Sequence, residues 1–316
     1  MIEQQKKAWE HFKGEVWKKE INVREFIQFN YTPYQGNDSF LVGPTGKTQK
    51  VWDKLSEMFK VEREKGVYDT ETKTPQRIDA YGPGYIDKDN EVIVGVQTDA
   101  PLKRGIFPNG GIRMVENSLN AYGYELDPAT KEIFTRYSKT HNEGGFSAYN
   151  NEMLATRRSG IITGLPDAYG RGRIIGDYRR VPLYGTEALK NERIRFFERL
   201  DIQELTEDTI RCREEVSEQI KAFSDFEKMC AGYGFDVTRP AQNAREAVQF
   251  LYFAYLAAVK DQDGAAMSLG RTSTFLDIYI ERDIKAGVLT EDEAQELIDQ
   301  FIIKLRIVRF LRTPDY

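Results

Sequence analysis

Apolar residues recur at helical spacing through Gln5–Trp17 and again through Gln49–Val61, so the first 66 residues read as helix-rich. Tyr31-Thr32-Pro33-Tyr34 and Gly43-Pro44-Thr45-Gly46 interrupt that pattern as loops. From Gly66 to Gly111 the texture changes to recurring Pro, Gly and Asp. Within it, Val92-Ile93-Val94-Gly95-Val96 predicts a short buried strand and Pro108-Asn109-Gly110-Gly111 a turn. After Gly185 the helical period returns. Leu205–Met229 predicts a long charged helix ending near Gly232. Asn243 with Glu246 three positions on is a capping signal for an apolar helix running to Val259. A loop, Asp261–Thr274, follows. Thr290 and Glu293 then form a capping box for a helix with Leu297, Phe301, Leu305 and Val308 on one face. No internal repeat or low-complexity stretch is visible. The sequence stops in ordinary-looking residues, Arg312-Thr313-Pro314-Asp315-Tyr316, and is expected to be a piece of a longer polypeptide.

Composition narrows the function classes. With 316 residues, 40% of them hydrophobic, the chain can bury one large core or two ordinary ones. The net charge of −5 gives no global attraction to nucleic acid or anionic membranes, so anion binding has to come from a local cluster. The longest apolar run, Ala247–Val259 broken by Gln249, is too short to span a bilayer. The N-terminal residues carry mixed charge without an apolar h-region, which excludes a secretory signal. Cys212 and Cys230 form no CxxC, metal cluster or disulfide framework, and read as small buried hydrophobes of a protein from the reducing cytoplasm. His11 reads as a surface residue of the N-terminal helix, and His141 as a structural hydrogen bonder. The aromatics of Phe250–Tyr255 have no interleaved basic residues and read as core, not as a base-stacking platform.

The chemistry concentrates in residues 157–180, RRSGIITGLPDAYGRGRIIGDYRR. Arg157, Arg158, Arg171, Arg173, Arg179 and Arg180 fall here with no lysine among them. A solvated surface would mix the two cations, whereas a planar fork is preferred for gripping carboxylate or phosphate. Gly160, Gly164, Gly170, Gly172 and Gly176 would let backbone approach a ligand closely. Two readings stand: a binding site for an anionic small molecule, or internal ion pairs with acids such as Asp167 and Asp177. Neither GxxxxGK[ST] nor GxGxxG after a strand is present, so nucleotide fingerprints are absent.

The run GLPDAYGRGRIIGDYRRVPLYG (Gly164–Gly185) resembles the signature of the pyruvate formate-lyase family. So do NVREFIQFNYTPY (Asn22–Tyr34), DAPLKRGIFPNGGI (Asp99–Ile112) and ELDPATKEIFTRYSKTHNEG (Glu125–Gly144). GAAMSLGRTSTFLDIYIERDIKAG (Gly264–Gly287) and KLRIVRFLRTPDY (Lys304–Tyr316) continue the resemblance in family order, nearly end to end. It covers less than half of a complete family member, its N-terminal part.

The resemblance implies an α/β fold: the helix-rich first half-barrel of the ten-stranded barrel of glycyl radical enzymes, truncated, with residues 1–316 as one incomplete N-terminal domain. It implies formate C-acetyltransferase activity, converting pyruvate and coenzyme A to acetyl-CoA and formate in anaerobic glucose fermentation. Implied partners are those two substrates, a second copy in the full-length homodimer, and a radical-SAM activating enzyme, with no nucleic acid, membrane or metal. The organic glycyl radical and the adjacent cysteine pair of the family are not in this sequence, so no catalytic residue is assigned and the isolated chain is expected to be inactive. Arg173 matches the arginine that holds the pyruvate carboxylate, and Ala265, Ala266 and Met267 fall in the stretch lining that pocket. Phe146, Arg157, Arg158, Tyr169, Arg312 and Tyr316 match coenzyme A contacts; Arg158 replaces the usual lysine, and the two cations hold phosphate differently. Two alternatives stay open. One is a 2-ketobutyrate formate-lyase, whose pocket differs by about one methylene. The other is an inactive or split scaffold that binds coenzyme A or another anion. A barrel cut between its halves is further expected to expose an unpaired sheet edge and to aggregate or need a partner.

Overall fold

The computed structural model describes residues 2–39, 41–108, 111–138, 149–161, 176–261 and 267–315. Helices dominate them: α1 (Ile2–Ala8), α2 (Val23–Asn30), α3 (Gly46–Lys65), α4 (Ile112–Ala121), α5 (Pro128–Tyr137), α6 (Asn151–Arg158), α7 (Arg180–Asp201), α8 (Glu207–Gly232), α9 (Ala244–Asp261), α10 (Ser273–Lys285) and α11 (Glu291–Arg306). Two short strands, β1 (Asp69–Pro75) and β2 (Lys103–Ile106), pair in parallel with Asp69 opposite Lys103 and Pro75 opposite Ile106, and the register shifts between those points.

The main core gathers around α9. Ala247, Phe250, Leu251, Phe253, Leu256 and Val259 are fully buried, which is why this helix reads as apolar almost all round. Its start is capped as expected, the Glu246 N–H donating to Asn243 Oδ1 at 2.9 Å. The Glu246 carboxylate does not return to Asn243; it grips Arg239 at 2.7 and 2.8 Å. The Thr290–Glu293 box at the head of α11 is complete in both directions. Leu297 and Phe301 bury against the main core, with Leu305 and Val308 packed at its edge.

Two sequence expectations need correction. The N-terminal helix stops at Ala8, not Trp17: His11 takes φ +72° in a turn and stays exposed, and Gly14 takes φ +98°. The reversal lets Phe12 and Trp17 both enter the core, where Trp17 meets Phe26 edge-on at 4.9 Å and Phe12 meets Tyr279 at 5.2 Å. A continuous helix would point the two in different directions.

Residues 93–96 are buried and Val92 half-buried, but they form no strand, because their main-chain partners are side chains. Gln249 accepts from Val94 N–H at 2.8 Å and donates back to Val94 C=O at 2.9 Å. Gln300 accepts from Val92 N–H at 2.7 Å, and the Tyr252 hydroxyl donates to Gly95 C=O at 3.0 Å. Helices carrying buried amides and phenols thus do what a neighbouring strand would do.

α7 is kinked at Gly185 (φ +74°), the point after which the sequence pattern turns helical. There the Thr186 N–H donates to Val237 C=O at 2.8 Å, and a Cβ at Gly185 would lie 2.4 Å from the Thr238 carbonyl oxygen. Only glycine fits so close an approach.

Candidate functional site

The N-terminal cations of the arginine cluster sit on α6. Asn150 caps that helix, its Oδ1 accepting from Met153 N–H at 2.9 Å, and Arg157 and Arg158 occupy the last turn. A helix C-terminus carries partial negative charge, so it favours these guanidiniums and disfavours an anion. Any phosphate held here is held by the side chains. Arg157 is half-buried; Arg158 is exposed, its Nε donating to Leu154 C=O at 3.2 Å. No residue of α6 is buried, so the helix presents its cations from the surface.

At the other end of the cluster the ion-pair reading holds. Asp177 takes Arg179 at 2.7 Å and Arg180 at 3.7 Å. Arg179 also donates from Nη1 to the Arg271 carbonyl at 3.1 Å. This bond ties the descending end of the signature to the 267–272 loop, where Met267 packs half-buried against the main core. Tyr178 adds a second tie, meeting Tyr255 of α9 edge-on at 5.6 Å. The residues following segment 162–175 therefore contact elements on both flanks of segment 262–266.

Phe146, Tyr169, Arg173, Ala265, Ala266 and Tyr316, together with His141 and Asp167, lie outside the described residues. Arg312 is half-buried near the end of β2. Its guanidinium lies 5.9 Å from the Phe310 ring, which tilts against Phe107 at 6.0 Å. Its Nη1 donates to Leu311 C=O at 2.8 Å.

Lys260, one residue before the end of α9, is a group the sequence hides. It reads as an ordinary cation at a helix C-terminus, yet it is fully buried and its Nζ has no hydrogen-bond partner. Burial pushes its amine down from 10.5 to about 8, against the opposing pull of Cys230, Asp79 and Asp99. The one signal in the sequence is position: Lys260 follows Leu256 by four and Ala257 by three, which places it on the buried face. Cys230 is buried too, and burial raises its thiol well above the usual range, as suits a structural cysteine rather than a nucleophile. Among the described residues no group of His, Cys, Asp and Glu is arranged to hold a metal, and no helix is long and apolar enough to cross a membrane.

The sequence profile described as pyruvate formate lyase-like matches residues 10–316. The chain belongs to that family. The pyruvate formate lyase-like chain is 57% identical over 319 aligned residues to a formate acetyltransferase of Haemophilus influenzae, covering 99% of this chain and 41% of that protein. It thus spans well under half the length of this relative. Among solved structures it resembles a glycerol-bound, B12-independent glycerol dehydratase from Clostridium butyricum, with a TM-score of 0.62 at 17% identity over 90% of this chain and 42% of that one. A glycyl radical enzyme from Archaeoglobus fulgidus matches with a TM-score of 0.56 at 18% identity over 83% and 40%. At such identities the likeness shows a shared fold, that of glycyl radical enzymes, with few strands among the described residues.

Proposed function

We propose that this chain is the N-terminal domain of a formate C-acetyltransferase, which exchanges pyruvate and coenzyme A for acetyl-CoA and formate. The 57% identity to a formate acetyltransferase, running over 99% of the chain, carries the reading. In it, residues 1–316 supply part of each substrate site, inside one half of a ten-stranded barrel. Arg173 holds the pyruvate carboxylate in a two-point grip that fixes the plane of the carbonyl, which is catalysis by positioning. Ala265, Ala266 and Met267 close on the methyl end. The tie from Arg179 to the Arg271 carbonyl supports this pairing, because it holds the flanks of the two segments together.

Coenzyme A is assigned to Arg157, Arg158 and Arg312 for its phosphates and to Phe146, Tyr169 and Tyr316 for its adenine end. The exposed Arg158 and half-buried Arg157 of α6 suit a ligand that arrives from solvent. The radical chemistry belongs to a glycine and a cysteine pair that these residues do not include; the chain's part is binding and orientation. A cytoplasmic homodimer serviced by a radical-SAM activating enzyme completes the proposal.

Titrating coenzyme A into the chain by calorimetry tests it. Arg157→Gln removes one charge-assisted contact and is expected to weaken binding tenfold or more, from ~1.5–3 kcal/mol for hydrogen bonds to charged groups. Arg158→Lys should cost less, since charge is kept. Unchanged affinity in Arg157→Gln would sink the assignment of α6 to the coenzyme.

A further inference from the structure

A groove of about 700 Å³ runs between α10 and α11, walled on its third side by a strap formed by residues 32–35 and Leu41. Its floor is apolar. Ile280 and Ile284 lie one turn apart on α10, and Ala294 and Ile298 one turn apart on α11, and both pairs line the groove. Tyr34 and Leu41 stand over the groove from the strap, 65% and 57% exposed. The strap is held in place, not draped: Gln295 accepts from Val42 N–H at 3.1 Å and donates to Val42 C=O at 2.7 Å.

The rim is predominantly acidic. Asp277 and Glu281 line the α10 side, Glu291 and Asp299 the α11 side, against a single lysine, Lys285, which is already paired with Glu281. Among the described residues no hydrogen bond or ion pair reaches the Asp277 carboxylate. Burial, and then the neighbouring Glu281, push that carboxyl above its usual range against the weaker opposing pull of Lys285. Apolar stripes at helical spacing, flanked by acids, match one kind of occupant: an amphipathic helix with Leu-like anchors at i and i+3 or i+4 and Lys or Arg beside them.

We propose that this groove docks a basic amphipathic helix of a partner protein, with apolar anchors between the Ile280–Ile284 and Ala294–Ile298 stripes and cations on Asp277 and Asp299. None of the described substrate residues assigned above lines this groove, and the proposal does not rest on them.

The test uses the full 316-residue chain and a fluorescein-labelled synthetic helix of Leu and Lys, about 18 residues long, read by anisotropy. Saturable one-to-one binding that weakens with added salt is expected, because exposed charges are screened. Asp277→Asn with Asp299→Asn keeps shape and removes charge, and should weaken binding about tenfold. Leu41→Ser, at an exposed position, tests the apolar half without touching the core and should weaken it too. Equal affinity in both folded variants, or equal binding of a Leu and Glu peptide, would overturn the proposal. Self-association of the chain that Leu41→Ser abolishes would overturn it in favour of a second copy.

Discussion

A single amine shows how burial rewrites a residue's chemistry. Lys260 sits in the core with no hydrogen-bond partner and titrates near 8 instead of 10.5 because burial disfavours its charged form. Below about pH 8 folded and unfolded chains both carry the ammonium, and the folded state bears a constant penalty, roughly 3 kcal/mol from the size of that drop. Between about 8 and 10.5 the unfolded chain holds more protons, so this group makes stability rise with pH. Lys260→Met should therefore be more stable than the parent at pH 7, with the gap closing by pH 10, as followed by urea unfolding of both proteins. A gap independent of pH would mean the lysine is not buried charged at neutral pH. Gly185 gives a second prediction at this scale. Its positive φ and the 2.4 Å approach to the Thr238 oxygen mean Gly185→Ala must move backbone, costing about 1–3 kcal/mol or more. Thermal unfolding measures it, and an unshifted midpoint would show that α7 can straighten.

Elements here are held by side chains as much as by ladders. The 92–96 segment carries a strand-like apolar sequence, yet Gln249, Gln300 and Tyr252 take its polar groups. Gln249→Leu would fill similar volume and leave Val94 N–H and C=O unpaired in the core. Each orphaned group costs ~1–3 kcal/mol, so a loss of about 2–5 kcal/mol in urea unfolding is expected, far above the ~0.5 kcal/mol of an average surface change. A further anchor is the Lys304–Glu91 pair at 2.8 Å, both side chains buried, which fixes α11 to the loop before this segment. Removing one partner, as in Lys304→Met, should cost about 3–5 kcal/mol, and adding Glu91→Gln should return part of it, because the loss comes from an uncompensated charge. Helix starts and stops, by contrast, were readable in advance: Thr290 with Glu293, Asn243, and Gly232 all stand where their chemistry placed them. Caps are local, satisfied within one turn, so local sequence specifies them.

For the whole molecule, the shared fold with glycyl radical enzymes and the partial coverage of its relative frame the functional prediction. The 316 residues hold Cys212 and Cys230 and no adjacent cysteines. The chain is expected to bind coenzyme A yet give no exchange of labelled formate into pyruvate under anaerobic conditions with an activating system present. Exchange by this chain alone would overturn the division between binding here and radical chemistry elsewhere.

By itself the sequence determined the family, through long blocks in order; the helix-rich stretches, through apolar periodicity; the caps; and the location of the cation cluster, through arginines without lysines. It left open whether those arginines bind ligand or pair internally, because Arg179 bonds to Asp177 two residues away but also to Arg271 some ninety residues on. Tertiary structure alone decided that a strand-like run is clamped by glutamines, that a helix-end lysine is buried, and that α10 and α11 leave an apolar trough with an acidic rim. The reason is physical: periodicity and capping act over a few residues, whereas burial and polar satisfaction depend on which distant elements the fold brings into contact.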